Sequence, residues 1–290
     1  MSSDEFSDSV DVFDAIREHV EESRYIAAKR LLDEVEDISV IPPDIPVELI
    51  ELVHSQMTAI EGGDEDRWSL VKEDQDIGTY FCRPLDEEAT TISVKVEATL
   101  PVSLLTAMAL IHEVDLMPLW LMKNAGEMIK LLDVRKLRKP KVFDLVMYVR
   151  TQPPWPISER EQCNHYRGVD CLDEERQRVG ILCHPLDDEI IPDHKPGAIR
   201  AKILEPSGFV FERVSEQVTK LRMVYTIDPW IGYVPDWLIG LFLGLIAPRI
   251  LGAVQAGTEV VEREEFQERI NDASNTFFVK LKQRMSQFQS

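Results

Sequence analysis

The chain has 290 residues and a formal net charge of −20, from 52 acidic and 32 basic side chains. Most of this charge lies in the first 66 residues, which carry 19 acidic and 4 basic side chains. Such acidity argues against the basic surface that nucleic-acid binding requires, and it disfavours adsorption of the N-terminal part to anionic membranes.

The cysteine content and the N-terminal sequence both bear on location. Four cysteines in a chain of this length do not amount to a disulfide scaffold. The sequence MSSDEFSDSVD at the start is acidic and polar, unlike a signal peptide or an arginine-rich transit peptide. The most apolar stretch, 237–247, has 11 residues, whereas a membrane span needs about 20. We therefore expect no transmembrane segment and a reducing, cytoplasmic environment, with any membrane contact peripheral.

The N-terminal part has the pattern of an acidic helical hairpin. Residues 1–10 are polar and acidic, and we expect them to be disordered. Apolar residues recur at helical spacing over residues 11–35 and again over Val47 to Ile60. The proline-rich sequence IPPDIP, 41–46, separates the two predicted helices. Residues 11–65 are therefore predicted to form a helical extension.

After Arg67 the pattern changes to short strands joined by turns. The predicted strands are 68–72, 78–83, 91–100, 128–134, 141–151, 160–171, 177–184, 197–204, 207–214 and 217–228. Alternation of apolar and polar residues along several of them indicates a sheet with one face exposed to solvent. An apolar helix follows Pro101, and a long apolar helix begins near Asp236. Consecutive strands with helices at the ends predict an α+β fold with an antiparallel sheet.

Five motifs in this region occur in the order of a known family. They are Trp68 at the first strand, LMPLW at 116–120, PWPISERE at 154–161, GAIRAKILEPSGFVF at 197–211, and KLRMVYTIDPWIGYVPDWLIG at 220–240. Together they resemble the START lipid-transfer domain over residues 66–256. The resemblance implies a helix-grip fold, in which a curved antiparallel sheet wraps a long C-terminal helix and encloses a cavity for one lipid. It also implies no catalysis.

The chain departs from the family pattern at positions that matter for the ligand. Glu161 stands where members usually carry Asp, and DPWIGYVP lengthens the final turn. Sterol-binding members use a buried acid–arginine pair, and the matching positions here are Met147 and Tyr166, neither of them charged. The resemblance therefore favours a phospholipid or another two-chain lipid over a sterol.

The candidate cavity wall consists of residues that the alternation turns to one side. They are Phe143, Leu145, Met147, Val149, Gln162, Asn164, Tyr166, Leu221, Met223 and Tyr225. Gln162, Asn164 and Tyr166 occupy alternate positions of one strand and are the candidates for fixing a headgroup, because buried polar groups need partners. A shift of one residue in register would instead turn these three to solvent.

The candidate gate combines the loop 151–159 with the helix that follows Pro235. Its residues are Trp155, Pro156, Trp237, Leu241, Phe242 and Leu245. A tryptophan on a rigid proline-rich loop suits a bilayer interface, because one end of its ring is apolar and the other can stay hydrated. Alternatively, Trp155 packs onto the C-terminal helix as a fixed latch, and the two interpretations are compatible.

Metal, cofactor and catalytic motifs are not evident. Cys163 and His165 are two residues apart and Cys183 adjoins His184, which is not the spacing of paired zinc ligands. The sequence also contains no G-x-S-x-G, Walker A or H-E-x-x-H motif. We expect neither a cofactor nor an enzyme.

The amphipathic C-terminal segment, 257–290, is expected to dock on the domain, with a partner site or self-association as the alternative. The sequence thus predicts a lipid-binding or lipid-transfer protein that holds one lipid, touches membranes transiently and uses no covalent chemistry. The alternative is an interaction or scaffold protein of the same fold, which docks into an assembly through its acidic N-terminal helices and its C-terminal helix.

Overall fold

A computed structural model describes residues 3–62, 68–74, 78–84, 91–125, 130–153, 155, 157–186, 196–228, 252, 257 and 259–288. Its centre is a large, mostly antiparallel sheet. In the described part of the chain the strands are β1 (Ser69–Asp74), β2 (Gly78–Pro84), β3 (Ile92–Leu100), β4 (Lys130–Arg138), β5 (Leu145–Gln152), β6 (Arg160–Cys171), β7 (Arg178–Pro185), β8 (Ile199–Arg200), β9 (Lys202–Ser215) and β10 (Val218–Asp228). They follow the order β1-β2-β3-β10-β9-β7-β6-β5-β4, and β8 pairs in parallel with β6.

Helices flank this sheet on both sides. The described helices are α1 (Ser3–Glu21), α2 (Tyr25–Asp33), α3 (Val47–Glu61), α4 (Leu104–His112), α5 (Met117–Ala125), α6 (Glu264–Asn271) and α7 (Thr276–Gln287). The prediction of a mixed α+β fold with an antiparallel sheet is therefore confirmed. The long helix expected from Asp236 falls mostly outside the described residues.

The N-terminal extension differs from its prediction in two respects. Helix α1 begins at Ser3, so residues 3–10 are helical where disorder was expected. The single helix expected over residues 11–35 is broken at Ser23, which has a φ of 65°, a value that ends a right-handed helix. Arg24 N–H then bonds to the carbonyl of His19 and closes the turn.

One face of the sheet, called the outer face here, is covered by α1, α2 and α3. Ile16, Ile50 and Ile60 are completely buried against it. Their partners on the sheet are Val169, Leu182, Val210 and Val224, which come from β6, β7, β9 and β10. The extension is therefore an integral part of the hydrophobic core. The prediction that one face of the sheet is exposed to solvent is wrong here, because α1, α2 and α3 cover that face.

This packing predicts a large cost for truncating a side chain on the third helix. Ile60→Ala should lower the free energy of unfolding by about 3 kcal/mol, because it leaves a cavity beneath α3. Ile38→Ala is the control; Ile38 is 77% exposed, and the expected change is below about 0.5 kcal/mol. Urea unfolding of both variants measures the difference. Equal, small losses would show that the extension is not part of the cooperative core.

The opposite face of the sheet, called the inner face, meets α4 and the C-terminal helices. Helix α4 starts at the capping residue Ser103, whose hydroxyl accepts the backbone N–H of Thr106 at 3.1 Å. Phe278 and Leu281 of α7 are completely buried in the same cluster as Phe211 and other inner-face residues. This is the docking that the amphipathic pattern of the C-terminal segment predicts.

The first and last helices also meet at the turn between β6 and β7. Asp170 N–H bonds to the carbonyl of Ser23 at 2.9 Å, and Arg24 pairs with Asp173. From α7, Arg284 Nε donates to the carboxylate of Asp170 at 2.7 Å. The end of β6 and the turn after it thus anchor both the α1–α2 turn and the C-terminal helix.

Strands β8 and β9 differ from the strands predicted for this region. The strands expected at 197–204 and 207–214 are instead the two-residue β8 and one continuous strand, β9, whose pairing with β10 contains an irregularity.

Within the described residues no single helix is long and apolar enough to cross a membrane; α4 and the segment 114–121 reach that limit only together, across a bend of 81°.

The inner face of the sheet as candidate functional site

The register of β5 and β6 brings two groups of candidate residues to one face. Leu145 lies opposite Tyr166, Met147 opposite Asn164, and Val149 opposite Gln162. Directly paired residues on adjacent strands point to the same side of a sheet. The intervening residues Val146, Tyr148 and Cys163 form a separate buried cluster on the other side.

The third group of candidates reaches the same face from β10. Leu221 is paired with Phe211 and Ala98, and Met223 with Phe209 and Val96. Tyr225 Oη donates a hydrogen bond to Oε1 of Gln162 at 2.9 Å. Because β10 and β6 are not neighbours in the sheet order, this bond shows that the inner face is concave.

The two faces of the sheet differ in how well their central residues are covered. On the outer face Leu182, Val210 and Val224 are completely buried. Their sequence neighbours on the inner face, Ile181, Phe209, Met223 and Tyr225, are only half-buried. Apolar side chains at the centre of a concave surface that keep exposed area have the position expected of a cavity wall.

The polar groups on this wall are neutral. Burial raises the pKa of Tyr166 and of Tyr225 well above the ordinary value of 10. Both hydroxyls therefore stay protonated, and each can donate or accept a hydrogen bond. Asn164, a hydrogen-bond partner of Tyr166, and Gln162 complete a set of uncharged polar groups among apolar ones.

Phe143 lies apart from the other candidates. It precedes β5 instead of belonging to it, and its ring meets that of Phe277 of α7 at 5.6 Å, edge to face. Gly168 lies beneath it, where a Cβ would come within 2.4 Å of Phe143 Cβ. The structure thus places Phe143 at the end of the sheet that α7 covers.

Trp155 projects from the loop between β5 and β6 and is 92% exposed. This exposure is the arrangement expected of a free loop tip. The C-terminal helix, onto which the latch alternative would pack Trp155, lies mostly outside the described residues, and that alternative stays a prediction. At the base of the loop, Gln152 Nε2 donates to the carbonyls of Pro153 and Ile157, at 3.1 and 3.2 Å. The other gate candidates, Pro156, Trp237, Leu241, Phe242 and Leu245, lie outside the described residues.

Two of the sequence motifs meet behind this loop. Glu161 of the PISERE sequence is completely buried and accepts a hydrogen bond from Arg200 at 2.8 Å and one from Tyr148 Oη at 3.0 Å. Arg200 belongs to the GAIRA sequence and sits on β8. The glutamate that replaces the usual aspartate therefore still forms an ion pair, and this pair ties the start of β6 to β8.

Sequence reasoning missed part of the inner face. Val179 and Ile181 on β7 are paired with Phe211 and Phe209 on β9, and all four belong to the core on the inner face or pack against it. The alternation in RVGILCHP and GFVFERV carried this signal.

The cysteines and histidines considered as metal ligands lie in other environments. Burial raises the pKa of the thiols of Cys163, Cys171 and Cys183, that of Cys171 to about 12. His165 and His184 each contact a carboxylate, at 3.1 and 2.7 Å. Among the residues that the structure describes, no group of three potential metal ligands occurs.

Comparison with known structures supports the fold. Human STARD10 is 14% identical, with a TM-score of 0.61 over 79% of this chain and 86% of that one. Human StAR-related lipid transfer protein 5 is 17% identical, with a TM-score of 0.59 over 75% and 98%. A STAR-related lipid transfer protein from Xanthomonas axonopodis is 16% identical, with a TM-score of 0.50 over 67% and 99%.

Comparison with known sequences supports the family. No curated sequence matches the chain. The sequence model of the START domain matches residues 54–256, a span that begins within α3 and includes every strand described above. With this match over more than half of its length, and with the fold of the StAR-related lipid transfer proteins, the chain belongs to the START domain family.

Proposed function

We propose that the protein binds one lipid against the concave inner face and carries it between membranes without covalent chemistry. The observation that supports this most directly is the contrast between the two faces. Leu182, Val210 and Val224 of the outer face are completely buried, whereas Ile181, Phe209 and Met223 of the inner face keep exposed area. Apolar chains laid on such a surface gain about 0.8 kcal/mol per buried CH₂ group.

The chemistry of the candidate wall favours a two-chain lipid, and a phospholipid over a sterol. Met147 and Tyr166, at the positions of the charged pair in sterol-binding members, are both uncharged. The available polar groups are the amides of Gln162 and Asn164 and two neutral tyrosine hydroxyls. Such groups suit the esters and headgroup of a phospholipid, which present many hydrogen-bond acceptors.

A substitution that fills the inner face tests this proposal. Met223→Trp should reduce the fraction of chains carrying a lipid at least threefold, because the larger ring occupies space at the centre of the concave face. Val214→Trp is the matched control, since Val214 on β9 is 59% exposed. Native mass spectrometry of both variants and the parent protein gives the lipid-bound fraction, and organic extraction identifies the lipid.

The outcomes separate the proposal from its alternative. One defined phospholipid per chain, lost in Met223→Trp and kept in Val214→Trp, supports lipid carriage. A parent protein that is empty and moves no labelled lipid between vesicles contradicts it. That result would favour an interaction or scaffold role for the same fold, with the acidic surface of α1–α3 as the contact.

A further inference from the structure

The edge strand β4 is basic in an otherwise acidic protein. Residues 130–141, KLLDVRKLRKPK, contain six basic residues and one acidic residue, against a net charge of −20 for the chain. The strand forms the end of the sheet, and Arg135, Lys136 and Arg138 are all exposed. This edge of the sheet therefore carries a local excess of positive charge.

The C-terminal end of this basic strand borders a cleft of about 290 Å³. The cleft is lined by His112, Glu113, Lys136, Leu137, Arg138, Lys139, Leu145 and Asn275. These residues come from α4, from the segments after α4 and after β4, from β4 and β5, and from the residue before α7. The volume lies near the lower limit for small-ligand sites, which span roughly 300–1,000 Å³.

The acidic groups near the cleft are already neutralised by other cations. Glu113 accepts hydrogen bonds from Lys136 at 2.9 Å and Arg269 at 2.5 Å, and Asp115 pairs with the same two side chains. Two carboxylates thus meet two cations. The charges of these four side chains cancel, so the four together carry no negative charge that would offset the remaining cations of the cleft.

Arg138 and Lys139 are those remaining cations. Neither forms an ion pair with any residue that the structure describes. Lys139 lies 5.4 Å above the ring of Phe277, and burial, followed by the nearby charge of Lys136, lowers the pKa of its amine. The cleft therefore has two positive charges in excess, and their mutual repulsion would be relieved by an anion.

Groups other than these cations also favour an anion here. Asn275 immediately precedes the 12-residue helix α7, and its side chain accepts no hydrogen bond from the first N–H groups of that helix. The positive end of the helix dipole therefore adds to the charge of the cleft. His112, nine-tenths buried at the cleft wall, donates a hydrogen bond from Nδ1 to Glu113. Its Nε2 has no hydrogen-bond partner among the described residues, and in the neutral ring this nitrogen accepts, so it suits a protonated phosphate oxygen.

The cleft and the exposed tryptophan lie at opposite ends of β5. Leu145 at the start of the strand lines the cleft, and Trp155 follows Gln152 at its end. Seven steps of about 3.4 Å separate the two ends by roughly 24 Å. A ligand in the cleft would therefore be bound away from the proposed gate, so this site goes beyond the proposed function.

From this arrangement we infer that the cleft beside Arg138 and Lys139 binds a phosphate-bearing ligand, either a small free phosphate compound or the phosphate headgroup of a membrane lipid. Arg138 supplies a planar donor that matches phosphate oxygens, and Lys139 supplies a point charge. Because both are solvent-accessible, binding should weaken as ionic strength rises.

The first test uses inorganic pyrophosphate with the full chain, measured by isothermal titration calorimetry at low ionic strength. Arg138→Gln/Lys139→Gln should weaken binding at least tenfold. The control Lys130→Gln/Lys220→Gln removes the same charge from cations that line neither side of the cleft, and it should leave the affinity within twofold. Two results would overturn the inference. One is equal affinity in the two double variants. The other is a parent protein that binds neither pyrophosphate nor the phosphatidic acid vesicles of the second measurement.

A second measurement needs no variant and distinguishes the source of the phosphate. Amine acetylation followed by mass spectrometry should show Lys139 protected by pyrophosphate, while Lys220 is modified to the same extent with and without it. Vesicles of phosphatidylcholine with phosphatidic acid, compared with phosphatidylcholine alone, test the headgroup. Protection by pyrophosphate supports a free ligand, and protection by phosphatidic acid vesicles alone supports a headgroup; unprotected Lys139 in both overturns the site.

The outcome can be separated from that of lipid carriage. The Arg138→Gln/Lys139→Gln variant should keep its lipid load in native mass spectrometry, because its substitutions lie away from Met223 and Tyr225. Loss of pyrophosphate binding with an unchanged lipid load supports two independent sites. A parent protein that lacks lipid but binds pyrophosphate would contradict only the proposed function.

Discussion

Glu113→Ala is expected to lower the free energy of unfolding by about 3 kcal/mol, the lower end of the range for breaking a buried ion pair. Glu113 is only 2% exposed, and its carboxylate accepts hydrogen bonds from His112, Lys136 and Arg269. The variant leaves His112 without its acceptor, and it leaves Lys136 and Arg269 with Asp115 as their remaining acidic partner. Lys136 and Arg269 are each about a third exposed, so water recovers part of the loss. Urea unfolding at pH 7 measures it.

The loss of stability in Glu113→Ala should depend on pH, whereas a loss caused by a simple packing defect would not. Burial alone would raise the pKa of Glu113, but the hydrogen bonds from His112, Arg269 and Lys136 hold it well below its ordinary value of 4.5. The folded state therefore binds the proton less tightly than the unfolded state. The stabilisation is complete above about pH 4.5 and is lost progressively as the pH falls towards the folded pKa.

The difference in stability between parent and Glu113→Ala should accordingly shrink below about pH 4.5. Asp44→Ala is the control: it removes an exposed pair with Arg17, whose contribution to stability is small because water screens it. A loss for Glu113→Ala no larger than that for Asp44→Ala, or one that stays constant down to pH 3, would show that the carboxylate does not hold α6 and β4 together.

Trp155→Ala is expected to slow lipid transfer between vesicles roughly tenfold, which corresponds to about 1.4 kcal/mol of lost membrane interaction. The ring is 92% exposed on a loop with a hydrogen-bonded base. Tryptophan favours the bilayer interface because its apolar ring and its N–H group suit the two sides of that boundary. The rate is measured with fluorescent phospholipid in donor vesicles.

The stability of the same variant identifies the cause of the effect. Because Trp155 buries so little area in the protein, Trp155→Ala should change the free energy of unfolding by less than about 0.5 kcal/mol. Trp155→Phe should keep most of the transfer rate, and Ile38→Ala, another exposed apolar truncation, should keep all of it. An unchanged rate in Trp155→Ala would remove this residue from the gate.

Much of the inner face could be predicted, because the side of the sheet that a residue faces follows from its neighbours in the sequence. The alternation in LVMYV and in QCNHY has a period of two, and adjacent antiparallel strands with a short connection leave little freedom in register. Leu145, Met147 and Val149 therefore had to face the same side as their partners on β6. The half-buried state of Phe209 and Met223 was not local information, because it depends on how the distant strands β9 and β10 curve.

The features that sequence reasoning missed depend on contacts between distant parts of the chain. The cleft combines His112, Lys139 and Asn275, and no periodicity relates positions so far apart. The basic composition of residues 130–141 is visible in the sequence. That these charges lie at the edge of the sheet follows only from the position of β4 in the fold. The exposure of Trp155 was equally undetermined, because an apolar residue on a proline-rich loop fits a packed latch as well as a free tip.

The order of synthesis gives a reason for the acidity of the N-terminal helices. Helices α1 to α3 leave the ribosome first, yet the surface that buries Ile16, Ile50 and Ile60 includes Val210 and Val224 of β9 and β10. Their apolar sides must therefore wait for about 160 further residues before they are covered, a delay that favours association with other chains. We infer that the 19 acidic side chains among the first 66 residues keep nascent chains apart by like-charge repulsion during that interval.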